Sequence, residues 1–215
     1  MNQLVQDYNN SQISNNDLEN DCPSVWIGCL SAYNEGILHG EWVDVPETLE
    51  DLIQVKNEIL KTSPGENPEE WEIFDAEGFA PFDTQYLDLE TAVVKAKFLK
   101  RIETEFENRT TEKDAFWIWI EENYCGANDI QNEEELDQAL EKFQDAFQGV
   151  YQSEEMFAET YFEDCYNEEE KGGLFAKFDC YIDWSRVWKY EFCCNACYDS
   201  ASNPNGAGVF IFCNQ

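Results

Sequence analysis

Basic residues are scarce in this sequence: 13 Lys and Arg stand against 46 Asp and Glu, which gives the 215-residue chain a formal net charge of -33. A protein that binds nucleic acid directly needs a basic surface to displace counterions from the phosphates, so this class is excluded. The same imbalance argues against attachment to an anionic membrane. No apolar run is long enough to span a bilayer, so we expect no membrane partner.

Histidine is nearly absent as well, which limits the enzyme classes that the chain could belong to. His39 is the only imidazole, so any Ser-His-Asp or Cys-His chemistry would have to use it. Its turn-rich surroundings favour a loop or packing role. There is no phosphate-binding glycine loop, no H-E-x-x-H and no G-x-G-x-x-G. We therefore predict a protein that is not an enzyme and that holds no cofactor.

The cysteine content and the first residues bear on the cellular compartment. Nine cysteines are an odd number, and the first residues show neither a basic stretch nor an apolar segment of the kind that directs secretion. This pattern is typical of a reducing cytoplasm. Residues 1–22 are rich in Asn, Gln and Asp, and we predict that they form a disordered tail.

Aromatic residues, in contrast, are abundant: 15% of the chain is Phe, Trp or Tyr, and 43% is apolar. Disordered acidic segments are poor in aromatic residues, so this chain is predicted to fold around a substantial core. The charge is also unevenly placed. Residues 1–92 contain 20 acidic and 2 basic residues, and residues 129–170 contain 15 acidic residues and one lysine. Residues 93–113 carry a net charge of +2, and residues 171–215 are balanced.

The hydrophobic periodicity predicts an α+β fold made of three small domains. Residues 23–87 read as an α+β domain, with strands near 25–30, 40–45 and 71–75 and a helix that begins near Pro46. Residues 88–128 read as a central helical domain. Residues 129–215 read as a second α+β domain, with strands predicted at 180–184, 190–197 and 208–212.

Two consecutive helices of the third domain are predicted to carry carboxylates in steps of four residues. The first is capped by Asn132 with Glu135 three residues on, and its apolar side is predicted to run from Leu136 to Val150. The second is capped by Ser153. Their outer faces hold two sets of three acids: Asp137, Glu141 and Asp145, then Glu155, Glu159 and Glu163.

These two carboxylate ladders have two interpretations. Like charges four residues apart destabilise a helix by about 0.2–0.5 kcal/mol per pair, and this cost suggests a function for the ladders. In the functional interpretation, the carboxylates stand where DNA presents phosphates. A net charge of -33 would match about 56 Å of duplex at DNA's charge density. The plainer reading is a solvated acidic surface, which is the more frequent meaning of a single ladder.

Several motifs follow one another in a recognisable order along the chain. The stretch from Val25 to Asp44 reads V-W-I-G-C-L-S-A-Y-N-E-G-I-L-H-G-E-W-V-D, and it resembles the opening signature of the ArdA family of antirestriction proteins. Three further matches are E-W-E-I-F-D-A-E-G-F at 70–79, F-Q-D-A-F-Q-G-V-Y at 143–151 with the S-E-E and F-A-E that follow, and Y-I-D-W at 181–184. The closing strand G-V-F-I-F at 208–212 also fits. The chain departs from the family at Lys189, Tyr190 and Glu191, where an Arg-Asp-Leu element is usual.

The resemblance implies an elongated, acidic protein of three small domains that mimics B-form DNA and fills the DNA-binding channel of type I restriction–modification enzymes. It also implies a homodimer formed through the C-terminal region, for which the candidate residues are Tyr181, Ile182, Asp183 and Trp184. The candidate phosphate-mimicking residues are Glu47, Glu50, Asp51, Glu58, Glu69, Glu70, Asp129, Glu133, Glu134, Asp137, Glu141, Asp145, Glu155, Glu159 and Glu163.

Other readings of the sequence stay open. The acidic surface could serve an adaptor or inhibitor of another basic protein, such as a nucleoid protein or a different nuclease. The C-x-x-C step from Cys194 to Cys197 could belong to a zinc site, with Cys180 and Cys213 as further ligands, but there is no second C-x-x-C. Buried thiols in strands are the favoured interpretation. The seven tryptophans could form a base-stacking platform, although packing accounts better for most of them.

Overall fold

The computed structural model describes residues 22–65, 68–165, 179–195 and 198–214. It confirms a mixed α+β fold, with seven α-helices and two three-stranded antiparallel sheets among these residues. The chain folds as two compact units. The first ends at Ala80 and also includes Thr84–Ala96, whereas the second comprises Pro81–Asp83 and the chain from Lys97 onward. The prediction of three domains stays a prediction, as does the disordered tail, which lies outside the described residues.

In the first unit, a helix covers one face of a small sheet. Strand β1 (Ser24–Cys29) is central and pairs antiparallel with β2 (Gly40–Asp44) and β3 (Trp71–Glu77). A short helix α1 (Leu30–Asn34) follows β1, and α2 (Leu49–Lys61) packs on the sheet. Alternate residues of a strand point to opposite faces, so Val25, Ile27 and Cys29 are all buried on one side of β1. These elements lie close to the predicted bounds.

The second unit joins a helical part to the second sheet. Helix α3 (Leu89–Glu105) begins in the first unit and ends in the second, and α4 (Thr110–Trp119) continues into one π-helical turn at Ile120–Tyr124. A 3₁₀ turn at Ala127–Asp129 precedes α5 (Glu133–Ala146). The later elements are β4 (Phe147–Tyr151), α6 (Glu154–Cys165), α7 (Trp184–Val187), β5 (Tyr198–Ser202) and β6 (Val209–Cys213), and β6 lies between β4 and β5.

Aromatic rings form the core of the second unit. The ring centroid of Phe143 lies 5.3 Å from that of Phe116, 5.9 Å from that of Phe106 and 5.2 Å from that of Phe147. A second cluster joins Phe157, Ala158, Trp188, Phe192 and Ile211. Aromatic pairs at these separations add about 0.5–1.5 kcal/mol each beyond the burial of their area. Packing therefore accounts for much of the aromatic content of the second unit.

Two predicted strands are wrong. In place of a strand at 180–184, the chain forms a 3₁₀ turn at Asp179–Tyr181, and Asp183 then caps α7 by accepting the Arg186 backbone N–H at 3.1 Å. In place of the strand at 190–197, one π-helical turn covers Trp188–Cys193. Trp188 and Phe192 are both buried, and their ring centroids lie 6.1 Å apart. A helical turn allows this contact, whereas an extended strand would separate residues four apart by about 13 Å.

The predicted apolar side of α5 is too long. The helix ends at Ala146, and β4 begins at the next residue without an intervening loop. Phe147 and Val150 therefore belong to the second sheet, and Val150 is exposed. Phe147 pairs with Phe212 across the sheet, and its ring also contacts Phe143. Its aromatic side chain thus continues the helix pattern in the sequence although the backbone has changed to a strand.

A glycine beside β6 provides a test of this second sheet. Gly208 has a φ of +104°, and a Cβ atom there would lie 2.2 Å from the Tyr151 backbone oxygen. We expect Gly208→Ala to lower the free energy of unfolding by at least about 2 kcal/mol, because both the backbone and the contact are strained. Gly206→Ala is the control, since its Cβ would meet only the end of the Asn203 side chain. Urea unfolding curves give the free energy of unfolding of both variants. An equal decrease in the two would contradict the close contact between Gly208 and Tyr151.

Candidate partner-binding surface

Helix α5 holds the first carboxylate ladder, and its start is fixed by local capping. The Asn132 side chain accepts the Glu135 backbone N–H at 2.9 Å, as the sequence predicts. The Glu135 carboxylate reaches back one residue further than expected and accepts the Gln131 N–H at 2.7 Å. Glu133 and Glu134 are exposed in the first turn, where the helix dipole stabilises negative charge.

The two faces of α5 are sharply different. Its inward face is buried, with Leu136, Ala139, Leu140, Phe143 and Ala146 packed into the core. Asp137, Glu141 and Asp145 are exposed on the outward face, at helical steps of about 6 Å. The structure therefore places the first predicted ladder on one exposed helix face.

Few cations neutralise the α5 ladder. Arg101 approaches Asp137 at 3.4 Å, but both side chains are more than half exposed, and such pairs contribute little. The ammonium of Lys142, the only lysine of α5, lies 4.8 Å from the centroid of the Tyr124 ring. Lys142 makes no ion pair within the described part of the chain. The ladder thus keeps most of its negative charge available to a partner.

The second ladder, on α6, is partly used by the fold. The Ser153 hydroxyl caps the helix by accepting the Met156 N–H at 3.2 Å, which confirms the predicted cap. The pKa of the Glu155 carboxyl is lowered by a hydrogen bond from the Ser153 side chain and by one from the backbone N–H of Glu155 itself. A further hydrogen bond from the Ser185 side chain acts in the same direction. Glu155 and Glu159 are half-buried, and only Glu163 is fully exposed. This helix presents a weaker ladder than α5.

The remaining candidate acids are all exposed, and most belong to the first unit. Glu47, Glu50 and Asp51 lie at the start of α2, where the Thr48 hydroxyl accepts the Asp51 N–H at 3.2 Å and donates to its carboxylate at 2.6 Å. Glu58 pairs with Lys61 at 2.5 Å near the end of α2. Glu69 and Glu70 precede β3, and Asp129 precedes α5 in the second unit.

The predicted dimer residues lie around α7. Tyr181 is 79% exposed, and Ile182 is half-buried. Asp183 is committed to the helix cap, and the Trp184 ring packs 5.9 Å from that of Phe162. Tyr181 is therefore a largely exposed member of this set, while Asp183 and Trp184 contribute contacts to the fold.

The structure also gathers acids that the sequence could not bring together. A cleft of about 480 Å³ is lined by Glu122, Asp145 and Asp199, with Lys142 and Tyr124 at its side. Asp199 accepts hydrogen bonds from the side-chain amides of Asn123 and Asn214. These residues come from the π-helical turn after α4, from α5 and from β5, so only the tertiary fold brings them to one cleft. No periodicity in the sequence indicates that they line the same cleft.

The alternative sites find little support among the residues that the structure describes. His39 Nε2 lies 2.9 Å from the Ile59 carbonyl and ties the start of β2 to the end of α2, in line with the predicted packing role. Cys180, Cys193 and Cys194 are exposed and outside strands, so their prediction as buried strand thiols is wrong. Cys197 lies outside the described residues. Among residues 22–65, 68–165, 179–195 and 198–214, no three potential metal ligands cluster.

Comparison with known families assigns the chain to one of them. The family model described as antirestriction protein (ArdA) matches residues 25–191. The chain belongs to the ArdA family. The match includes all of the acidic segment 129–170 and most of the acidic segment 1–92. It covers most of the motifs named above but ends before the 208–212 strand. No curated protein matches the chain. In the described part of the chain, no helix has the length and apolar character needed to cross a lipid bilayer.

ArdA membership identifies the chain as an antirestriction protein, whose targets are restriction–modification enzymes. The exposed acids described above are then the surface to examine for target binding.

Ser153→Ala tests the capping role of Ser153 on α6. The pKa of Glu155 is lowered in the folded protein, so its carboxylate stabilises the fold above the ordinary pKa of 4.5, and this contribution is lost as the pH falls through the folded pKa. We expect the free energy of unfolding of the variant at pH 7 to be about 1 kcal/mol lower, because the helix cap is missing. We also expect the pKa of Glu155 to rise. The measurements are urea unfolding at pH 7 and pH 3.5 and carboxyl NMR titration. Ser202→Ala, in β5, is the control and should change neither.

Proposed function

We propose that this ArdA protein inhibits type I restriction–modification enzymes as a mimic of B-form DNA, by occupying the DNA-binding channel of the methyltransferase core. The observation that supports this proposal most directly is the α5 ladder, with Asp137, Glu141 and Asp145 exposed on a helix whose opposite face is fixed in the core. We further propose that the protein is cytoplasmic, is not an enzyme and acts as a homodimer through the region around Tyr181.

The ladder alone is too sparse to imitate a duplex. A helix presents one carboxylate every 6 Å or so along a ladder, whereas each DNA strand has one phosphate per 3.4 Å of axis. The exposed acids at the starts of α2 and α5 and at the end of α6 supply the further charges that the proposal needs. A distributed field of this kind predicts that no single carboxylate is essential.

The mechanism follows from electrostatic complementarity. A channel built to hold DNA carries Lys and Arg side chains that face phosphates, and the carboxylates of this protein would take the place of those phosphates. No bases are presented, so inhibition should not depend on the recognition sequence of the enzyme. The net charge of -33 would also steer the protein into the channel and raise its association rate.

Neutralising the α5 ladder tests the mimicry. We expect Asp137→Asn, Glu141→Gln and Asp145→Asn together to weaken inhibition about tenfold, since exposed ion pairs contribute about 0.2–1 kcal/mol each. The matched control exchanges the same residues with conservation of charge, as Asp137→Glu, Glu141→Asp and Asp145→Glu, and should inhibit normally. The measurement is competition against duplex oligonucleotide on a purified type I methyltransferase. Complete loss from one substitution would instead indicate a localised site.

Salt should act in opposite directions on the fold and on the complex. Added KCl screens repulsion among the carboxylates, so the melting temperature of the free protein should rise between about 20 and 300 mM salt. The same salt should weaken binding to the methyltransferase steeply, because the complex depends on opposite charges. Thermal unfolding and titration calorimetry measure the two effects. Binding that does not respond to salt would count against the charge-based mechanism.

The second candidate function is an acidic adaptor or inhibitor of another basic protein, such as a nucleoid protein or a different nuclease. The observation that keeps it open is the charge field itself, which has no feature specific to one channel. Affinity capture from cell extract separates the two functions: recovery of methyltransferase subunits supports the first, and recovery of nucleoid proteins supports the second.

A further inference from the structure

The outer face of the first sheet carries aromatic rings that α2 does not cover. Val25 and Ile27 of β1 point into the core, so Trp26 and Gly28, which alternate with them, point to the opposite face. The strand register places Trp42 opposite Trp26 and Gly40 opposite Gly28. Phe74 lies in the irregular part of β3 beside them.

The sheet is built to seat these rings. A Cβ atom on Gly28 would lie 2.2 Å from a carbon of the Phe74 ring. A Cβ atom on Gly40 would lie 2.5 Å from the Ile27 backbone oxygen and 2.9 Å from Trp26 Nε1. Gly28 thus leaves the space for the Phe74 ring, and Gly40 leaves the space for the β1 backbone and the Trp26 ring. The Trp26 and Trp42 rings meet edge to face at 6.0 Å. Trp42 is 43% exposed and Phe74 is 38% exposed, so both rings are partly open to solvent, and with Trp26 they form the aromatic surface of this face.

Carboxylates border the aromatic surface, and its strands carry no positive charge. Asp44 and Glu77 both pair in register with Ser24, and Glu72 pairs with Gly28, so all three belong to the same outer face as Trp26. All three acids are exposed. The strands β1, β2 and β3 contain no Lys or Arg. An aromatic centre with an acidic border is complementary to a cation that has a flat, weakly hydrated surface.

We propose that this face is a second docking surface, which takes arginine side chains of the basic partner by stacking on Trp42 and Phe74 with Asp44 and Glu72 within reach. The guanidinium group is planar, stacks on aromatic rings and pairs with carboxylates in a forked geometry, whereas the lysine ammonium is compact and strongly hydrated. The first unit already pairs an indole with a cation, since Lys56 Nζ lies 5.2 Å from the Trp71 ring centroid.

This surface would add a kind of contact that the ladders do not provide. The carboxylates of the ladders attract any cation, and salt weakens this attraction. The interaction of a stacked, desolvated guanidinium group is screened much less by salt. The aromatic face would therefore select arginine over lysine and retain part of the affinity at high salt. The inference rests on the proposed function for the identity of the partner, but the chemistry of the face can be tested without that partner.

The test compares the binding of two peptides to the 215-residue chain. We expect octa-arginine to bind about tenfold more tightly than octa-lysine at 150 mM salt, as followed by calorimetry. In the double variant Trp42→Ala, Phe74→Ala this ratio should fall to about twofold, because both peptides then see only carboxylates. Trp42→Phe should retain part of the preference. The control is Tyr86→Asn, which removes an aromatic residue that is 92% exposed, at a positive φ that Asn tolerates, and should leave the ratio unchanged.

Several outcomes would overturn the inference. Trp42 lies on an edge strand, so we expect the double variant to fold, and circular dichroism would check this. If the folded double variant keeps the wild-type ratio of peptide affinities, the face is excluded as an arginine site. Self-association that the double variant abolishes would assign the face to a second copy of the chain. If the double variant inhibits the methyltransferase normally while the α5 triple variant does not, this inference fails and the proposed function stands. If the wild type retains the peptide preference but does not inhibit, the proposed function fails instead.

Discussion

The structure depends on the balance between repulsion among carboxylates and the burial of aromatic rings on the same elements. Helix α5 shows the balance most clearly, because the acids at Asp137, Glu141 and Asp145 repel one another while Phe143 is held by rings from several directions. The repulsion costs a few tenths of a kcal/mol per pair, and each ring contact returns a comparable or larger amount. A helix with this outer face could not persist alone. It persists because its inner face is part of a packed core.

The sequence predicted those elements in which local signals and tertiary packing agree. The strands β1 to β3, the cap at Asn132 and the cap at Ser153 were all identifiable, because alternation and capping are properties of neighbouring residues. The prediction of strands between Cys180 and Cys193 was wrong, because local signals and tertiary packing disagree there. Alternating polar and apolar residues there resemble a strand, but Trp188 and Phe192 also lie at helical spacing, and the aromatic cluster around Phe157 selects the helical turn.

The candidate surface was predictable in part. Helical spacing located the α5 ladder correctly, since the position of a residue on a helix face follows from its number. The hydrogen bond between Glu155 and Ser185 depends on tertiary contacts, and so does the position of Asp145 and Asp199 in one cleft. No local pattern encodes such contacts. The aromatic face of the first sheet lies between these cases. Its tryptophans stand out in the sequence, but their exposure and the role of the paired glycines require the strand register.

The direct passage from α5 into β4 has a consequence for recognition. Ala146 ends the helix and Phe147 begins the strand, and the Phe147 ring contacts both Phe143 and Phe212, so the helix and the sheet are joined without a hinge. The spacing of the carboxylates is therefore set before any encounter with a partner. For the proposed function, this means that association forfeits little conformational entropy in ordering α5, and that more of the electrostatic attraction is expressed as affinity. The rigid boundary between α5 and β4 would then make the acidic helix a preorganised template.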